Sequence, residues 1–196
     1  MLASITPLGE RGRQARWGIT VAAFLLGASA AGAASGSFGG WLGSMAVPST
    51  VGPQERLAVL AVAALLALGL DIGPVRVPGP RRQVDERWLD RYRGWVYGLG
   101  YGAQMGVGVA TIVSSAATYV ALLAALLSGS PAAGALVGGV YGAVRGATPL
   151  WTAHVQRPDQ LIALHRRLER WRAPATRVGW GALAAILALA AAGTLT

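Results

Sequence analysis

The stretch from Gly94 to Ser128, GWVYGLGYGAQMGVGVATIVSSAATYVALLAALLS, carries no charged residue. Its first half has glycines at Gly94, Gly98, Gly102 and Gly106, four apart and therefore on one helix face. In a soluble helix each would cost about 1 kcal/mol relative to alanine. Between membrane helices the same spacing lets two backbones approach closely. A second ladder follows at Gly134, Gly138, Gly142 and Gly146, and a shorter one precedes it at Gly32, Gly36 and Gly40. Three ladders on three apolar segments predict an all-α polytopic membrane protein whose helices pack through glycine.

The composition bounds the same answer. Of 196 residues, 54% are hydrophobic and only 13% charged, and the charges are segregated into loops. This predicts a single integral membrane domain over 1–196. The chain has no cysteine, which excludes thiol redox chemistry, disulfides and thiolate metal sites. All 17 basic residues are arginine, in keeping with a GC-rich coding bias that also favours Ala and Gly. A net charge of +9 in a soluble protein would point to nucleic acid. Here the arginines flank apolar runs, so the lipid bilayer is the expected partner and nucleic acid is not.

Five spans are expected, at about 19–45, 56–72, 96–128, 132–151 and 178–195, joined by cytoplasmic loops at 73–94 and 152–177. A cleavable signal peptide competes for the first, since basic residues precede it and Ala31-Gly32-Ala33 looks like a cleavage site. The apolar run continues well past that point, which favours a span. As one helix, the 35 residues from 94 to 128 would extend about 52 Å, against a hydrocarbon core of about 30 Å. The segment must tilt, protrude or break, and the dense glycine between Gly98 and Gly108 is the expected place for a break. Both cytoplasmic loops are expected to hold amphipathic helices. Gln83–Arg93 forms one, or else a solvated loop. Pro158–Trp171 forms the clearer one, with Leu161, Leu164, Leu168 and Trp171 on a single face. Arginine numbers three in the lead, six in 71–93 and six in 151–177, but one in 48–56 and none in 128–131. Positive-inside then places the N-terminus in the cytoplasm and the C-terminus outside, in the cytoplasmic (cell inner) membrane.

Arg145 is the one charge set inside an apolar span, a functional candidate by default, with snorkelling to the interface as the alternative. Asp71 is its candidate ion-pair partner. Gln104, Thr111 and Ser115, together with Arg145, are candidates for a polar substrate pathway; hydrogen bonding between helices is the competing role for the hydroxyls. His154 and His165 are eleven apart, without clustered carboxylates, so no metal is expected. No Ser/His/Asp arrangement, P-loop or paired intramembrane carboxylates can be made out, so neither an enzyme nor a cofactor is expected. Gly98-Leu99-Gly100-Tyr101-Gly102 has the look of a nucleotide loop but lies in an apolar span without a preceding strand.

The two long segments AAFLLGASAAGAASGSFGGWLGS at 22–44 and VYGLGYGAQMGVGVATIVSSAATYV at 96–120 share an outline, an aromatic and glycine followed by a small-residue helix. A weak internal repeat of this kind marks transporters. The outline resembles the superfamily of small membrane proteins that includes the cytochrome c biogenesis thiol-transfer proteins, the amino-acid exporter LysE and the TauE/SafE-type sulfite exporters. The thiol-transfer branch uses a Pro-Cys element that 98–120 lacks, so the resemblance implies a permease-like architecture without electron relay. The expected function is a small permease or exporter-like protein for a small anionic solute. The alternative is a non-catalytic accessory or structural subunit of a larger membrane complex. A homo-oligomer or a membrane-complex partner is expected accordingly.

Overall fold

The computed structural model describes residues 5–74, 77–80 and 87–195, and among these the regular structure is entirely helical. In chain order the helices are α1 (Pro7–Gly12), α2 (Trp17–Ala46), α3 (Pro53–Ile72), α4 (Trp88–Arg91), α5 (Gly94–Gly106), α6 (Ala117–Leu127), α7 (Pro131–Gly146) and α8 (Pro158–Gly193). A 3₁₀ turn at Thr148–Thr152 follows α7. Local chemistry marks several starts. Pro7, Pro53, Pro131 and Pro158 each open a helix, where the missing N–H costs nothing. Thr6 Oγ1 accepts from the Gly9 amide, and Glu55 Oε2 accepts from the Gly52 amide.

Helix α2 is the central post. α7 runs antiparallel along it, with Gly40 against Ser130, Gly36 against Gly134, and Gly32 against Gly138. α5 runs parallel along another side, where Gly98 meets Thr20, Gly102 meets Phe24 and Gly106 meets Ala28. α6 continues in the direction of α5 farther along the post, with Ala125 beside Gly39 and Leu126 beside Gly43. A Cβ on Gly138 would sit 2.9 Å from the Gly36 Cα, and one on Gly106 would sit 2.9 Å from the Ala28 Cα. Backbone therefore touches backbone, and carbonyl oxygens face glycine Cα–H groups across both seams. α3 and the second half of α8 pair antiparallel at the side. Leu57 lies against Gly193, and Ala64, Ala67 and Leu183 share a core with Ala116, the N-cap of α6, and with Val120 of α6.

The turns at 47–52 and 128–130 meet at one end of the bundle, tied by Arg56, which donates to the Val51 and Leu127 carbonyls. At the other end the Leu8 amide donates to Val155 O, and Thr152 Oγ1 donates to Ile5 O. Two helices, α2 and α8, are long and apolar enough to cross a membrane by length and composition.

Several elements differ from expectation. The segment 96–128 breaks into two helices, α5 and α6, and the interruption at 107–116 opens at the C-terminal edge of the glycine-dense stretch, at Gly108. Those glycines stay helical because the close packing on α2 replaces the stability they lack in isolation. The expected span 132–151 is helical only to Gly146, and Pro149 then sits in the 3₁₀ turn. The amphipathic helix at 158–171 and the last span at 178–195 form one helix, so most of the expected loop 152–177 is helical. Pro174 lies inside it. The surrounding residues 169–178 are exposed, which leaves the carbonyl that proline frees open to solvent. Of the amphipathic helix expected at 83–93, Gln83 and its neighbours to 86 lie outside the described residues, and among the described residues 87–93 helix covers Trp88–Arg91. At the N-terminal end, Ile5, Thr6 and Glu10 are buried and the Leu8 amide bonds to Val155 O, so this polar segment packs onto the bundle.

Candidate functional site

The interruption between α5 and α6 begins where Gly108 takes φ +83°, a left-handed conformation that stops the helix and suits glycine. It falls opposite the middle of α2, since Gly106 meets Ala28 and Ala125 meets Gly39 of a post that runs from Trp17 to Ala46. An interrupted helix leaves carbonyls at one end and amides at the other without partners. Here a charged side chain from a neighbouring helix takes up one carbonyl on the α5 side, and another takes up one amide on the α6 side.

Arg145 of α7 serves the α5 end. Its guanidinium donates to the Gly108 carbonyl at 3.3 Å, to the Tyr141 hydroxyl at 2.6 Å and to Met105 Sδ at 3.2 Å. A cation there also complements the negative end of the α5 dipole. Tyr141 passes the chain on, donating to Thr118 Oγ1 of α6 at 2.8 Å. Asp71, on the last turn of α3, serves the α6 end. Its Oδ1 accepts from the Ala116 amide at 2.8 Å and its Oδ2 from the Ser115 hydroxyl at 2.6 Å. Ser115 Oγ in turn accepts from the Ala117 amide. A carboxylate at a helix N-terminus is favoured by both hydrogen bonding and the dipole.

The expected Asp71–Arg145 ion pair is therefore not formed. Each charge instead takes one peptide group of the interruption, the Gly108 carbonyl or the Ala116 amide, together with side-chain partners beside it. Arg145 does not snorkel outward either; it is half-buried and turned into the break. Of the four pathway candidates, Arg145 and Ser115 sit at the two ends of the interruption. Thr111 lies within it, buried, and its hydroxyl makes no hydrogen bond among the described residues. Gln104 lies on the last turn of α5, half-buried, and its side chain likewise makes no hydrogen bond among the described residues. The segment 77–80 lies alongside this region, where the Tyr119 hydroxyl donates to Pro78 O.

A second polar cluster, at the N-terminal end of the bundle, escaped sequence reasoning. Glu10 of α1 is fully buried. Its carboxylate accepts from Thr20 at 2.6 Å and from the Tyr97 hydroxyl at 2.6 and 2.7 Å, and pairs with Arg13 at 2.9 Å. Burial works against the Arg13 charge, but the hydrogen bonds to Glu10 and Tyr97 outweigh it and raise the guanidinium pKa above its ordinary value. Thr6-Pro7 is a helix-start signal that could have located α1; nothing local marks Glu10 as buried.

The glycines of Gly98-Leu99-Gly100-Tyr101-Gly102 also find their reason. Gly98 and Gly102 face α2, while a Cβ on Gly100 would strike the Trp88 ring at 2.5 Å. Trp88 stacks on Tyr101 with ring centroids 6.0 Å apart. Among the described residues no group of His, Asp or Glu could hold a metal. No protein-family model, curated protein or solved structure matches the chain.

Proposed function

We propose that this is a multi-pass protein of the cytoplasmic membrane that acts as a small permease or exporter, moving a small anionic solute past the α5–α6 break. One observation carries the proposal. Irregular backbone sits at the middle of the bundle, held by Arg145 on one side and Asp71 on the other. In a membrane protein such backbone is tolerated only where it is buried in protein or lines a cavity, and broken helices of this kind form transporter binding sites. The cationic Arg145 and the Thr111 hydroxyl, which has no hydrogen bond among the described residues, favour an anion there. Five long helical paths along the bundle, α2, α3, α5 with α6, α7 and α8, alternate in direction, which supports five spans packed through the glycine seams. Apolar side chains such as Leu65 and Leu66 of α3 and Leu189 of α8 face outward, as lipid contact requires.

The test is flux in liposomes reconstituted with the purified chain, using a panel of small inorganic and carboxylate anions. The wild-type chain should exceed empty liposomes for at least one anion. Arg145→Lys should keep part of that flux and Arg145→Gln should lose it, because charge is required while the planar fork is only preferred.

The accessory-subunit alternative has one observation of its own. From 169 to 178 α8 is exposed on all sides, and at Gly179 and Gly181 next to it an added methyl group would meet open space among the described residues. Such a helix offers a backbone approach to a partner helix. No flux for any anion, together with fixed-stoichiometry co-purification of a membrane partner from the native membrane, would favour this alternative over a permease.

A further inference from the structure

A cleft of about 550 Å³ opens at the N-terminal end of the bundle, between the starts of α2 and α5. Arg13, Arg16 and Arg93 line it, with Asp90 as the only acidic residue in its wall among the described residues. Arg13 is held in place by its pair with the buried Glu10 and by its position over the Tyr97 ring, 5.8 Å from the centroid. Arg16 and Arg93 are exposed, and neither side chain makes a hydrogen bond or ion pair among the described residues. Their positions are electrostatically unfavourable. Arg16 is the N-cap of α2 and Arg93 the N-cap of α5, and neither helix has an acidic residue in its first turn. Both cations thus stand at positive helix ends, where acids are normally found. Glu10, beside Gly94 at the α5 start, balances Arg13, and Arg16 with Arg93 outweigh Asp90, so the cleft keeps a net positive charge that a bound anion would relieve.

The apolar flank of the cleft narrows the chemistry. Ile19 of α2 and Trp95 of α5 line it and are half-exposed, and Leu99, one turn beyond Trp95, continues the apolar strip along α5. Arginines at one end of an exposed apolar strip match a molecule with an anionic head and an apolar tail. We infer that this cleft binds a phosphate group, supplied by the headgroup of an anionic phospholipid or by free inorganic phosphate. The lipid source rests on the membrane location proposed above; the phosphate chemistry does not.

The experiment uses the full chain purified in a neutral detergent. Native mass spectrometry would measure retention of phosphatidylglycerol against phosphatidylcholine at equal concentration, and thermal unfolding would be followed with and without inorganic phosphate. The variants are Arg16→Gln with Arg93→Gln, and Arg166→Gln with Arg170→Gln on the exposed face of α8 as a control of equal charge. Neither test arginine has a side-chain partner to lose among the described residues, so the fold should survive. Preferential retention of phosphatidylglycerol that drops about tenfold in the first variant and not in the control establishes the site and its lipid source. Stabilisation by inorganic phosphate, lost in the first variant and unaccompanied by a lipid preference, establishes the site with a free anion. Equal retention of both lipids and no phosphate effect, or equal losses in the two variants, would overturn it. A chain that stays dispersed without detergent would instead refute the membrane location, and the phosphate measurement would still report on the cleft.

Discussion

Arg145 and Asp71 show how a charge can be placed by backbone rather than by an opposite charge. Each satisfies one end of the interruption in the α5–α6 path, and they share no hydrogen-bonding partner among the described residues. Asp71→Asn should retain the shape but weaken the acceptor for the Ala116 amide, lowering stability by about 1–2 kcal/mol. Arg145→Gln should cost a similar amount by freeing the Gly108 carbonyl and the Tyr141 hydroxyl. Because the two residues serve different groups, the double variant should show losses that add to within about 0.5 kcal/mol. Denaturation of the two singles and the double in detergent measures this; recovery of stability in the double would mean that the two charges compensate one another after all. Glu10 makes a different prediction. Glu10→Gln keeps the size but leaves Arg13 without its counter-charge and places an amide where three donors converge. A loss of about 1–3 kcal/mol is expected. The exposed Glu169→Gln on α8 should be silent in the same assay.

At the scale of elements, the seams of α2 are the feature most open to test. Alanine is usually the mildest replacement for a helical glycine. Here it should not be mild at Gly102 or Gly138, because the added methyl meets the backbone of Phe24 or Gly32, which cannot rotate out of the way. Gly102→Ala and Gly138→Ala should each lower the detergent unfolding temperature clearly, and leucine should prevent assembly. Gly181→Ala, with open space around it, should leave stability unchanged or slightly raised. Equal effects at all three sites would mean that the close approach on α2 does not hold the bundle together. The helix ends were partly legible in the sequence, because proline at a first turn and the Ser130 cap are local signals. The continuity of α8 through Pro174 was not. A proline argues for a boundary, and whether the flanking segments align into one helix depends on the surface they dock against at both ends, Leu164 near the start and Leu183 farther on.

For the whole molecule, the two ends of the bundle differ in charge, and this makes orientation testable in a chain without native cysteine. Arg56 is the arginine tied into the end formed by the 47–52 and 128–130 turns, whereas Arg11, Arg13, Arg16 and Arg93 gather at the opposite end. Single cysteines at Ser49 and Ser130 should label from outside intact cells with an impermeant thiol reagent. Cysteines at Gln14 and Gln160 should label only after permeabilisation. Outside labelling at Gln14 would reverse the proposed orientation, and labelling of all four sites from outside would remove the bilayer from the account.

The all-helical character, the approximate limits of α2 and α3, and the prominence of Arg145 are properties of the sequence alone. They depend on local composition and spacing, because apolar runs, glycine periodicity and an isolated charge can be read without knowing what lies opposite. Tertiary structure decided where the long uncharged segment stops being helical, which partners Arg145 and Asp71 take, and that Glu10 is buried. Those outcomes depend on the free energy of contacts between residues distant in sequence. Gly106 remains helical because Ala28 lies against it, the break is tolerable because α3 and α7 bring charges to its two ends, and Glu10 can be buried because Thr20 and Tyr97 supply its hydrogen bonds.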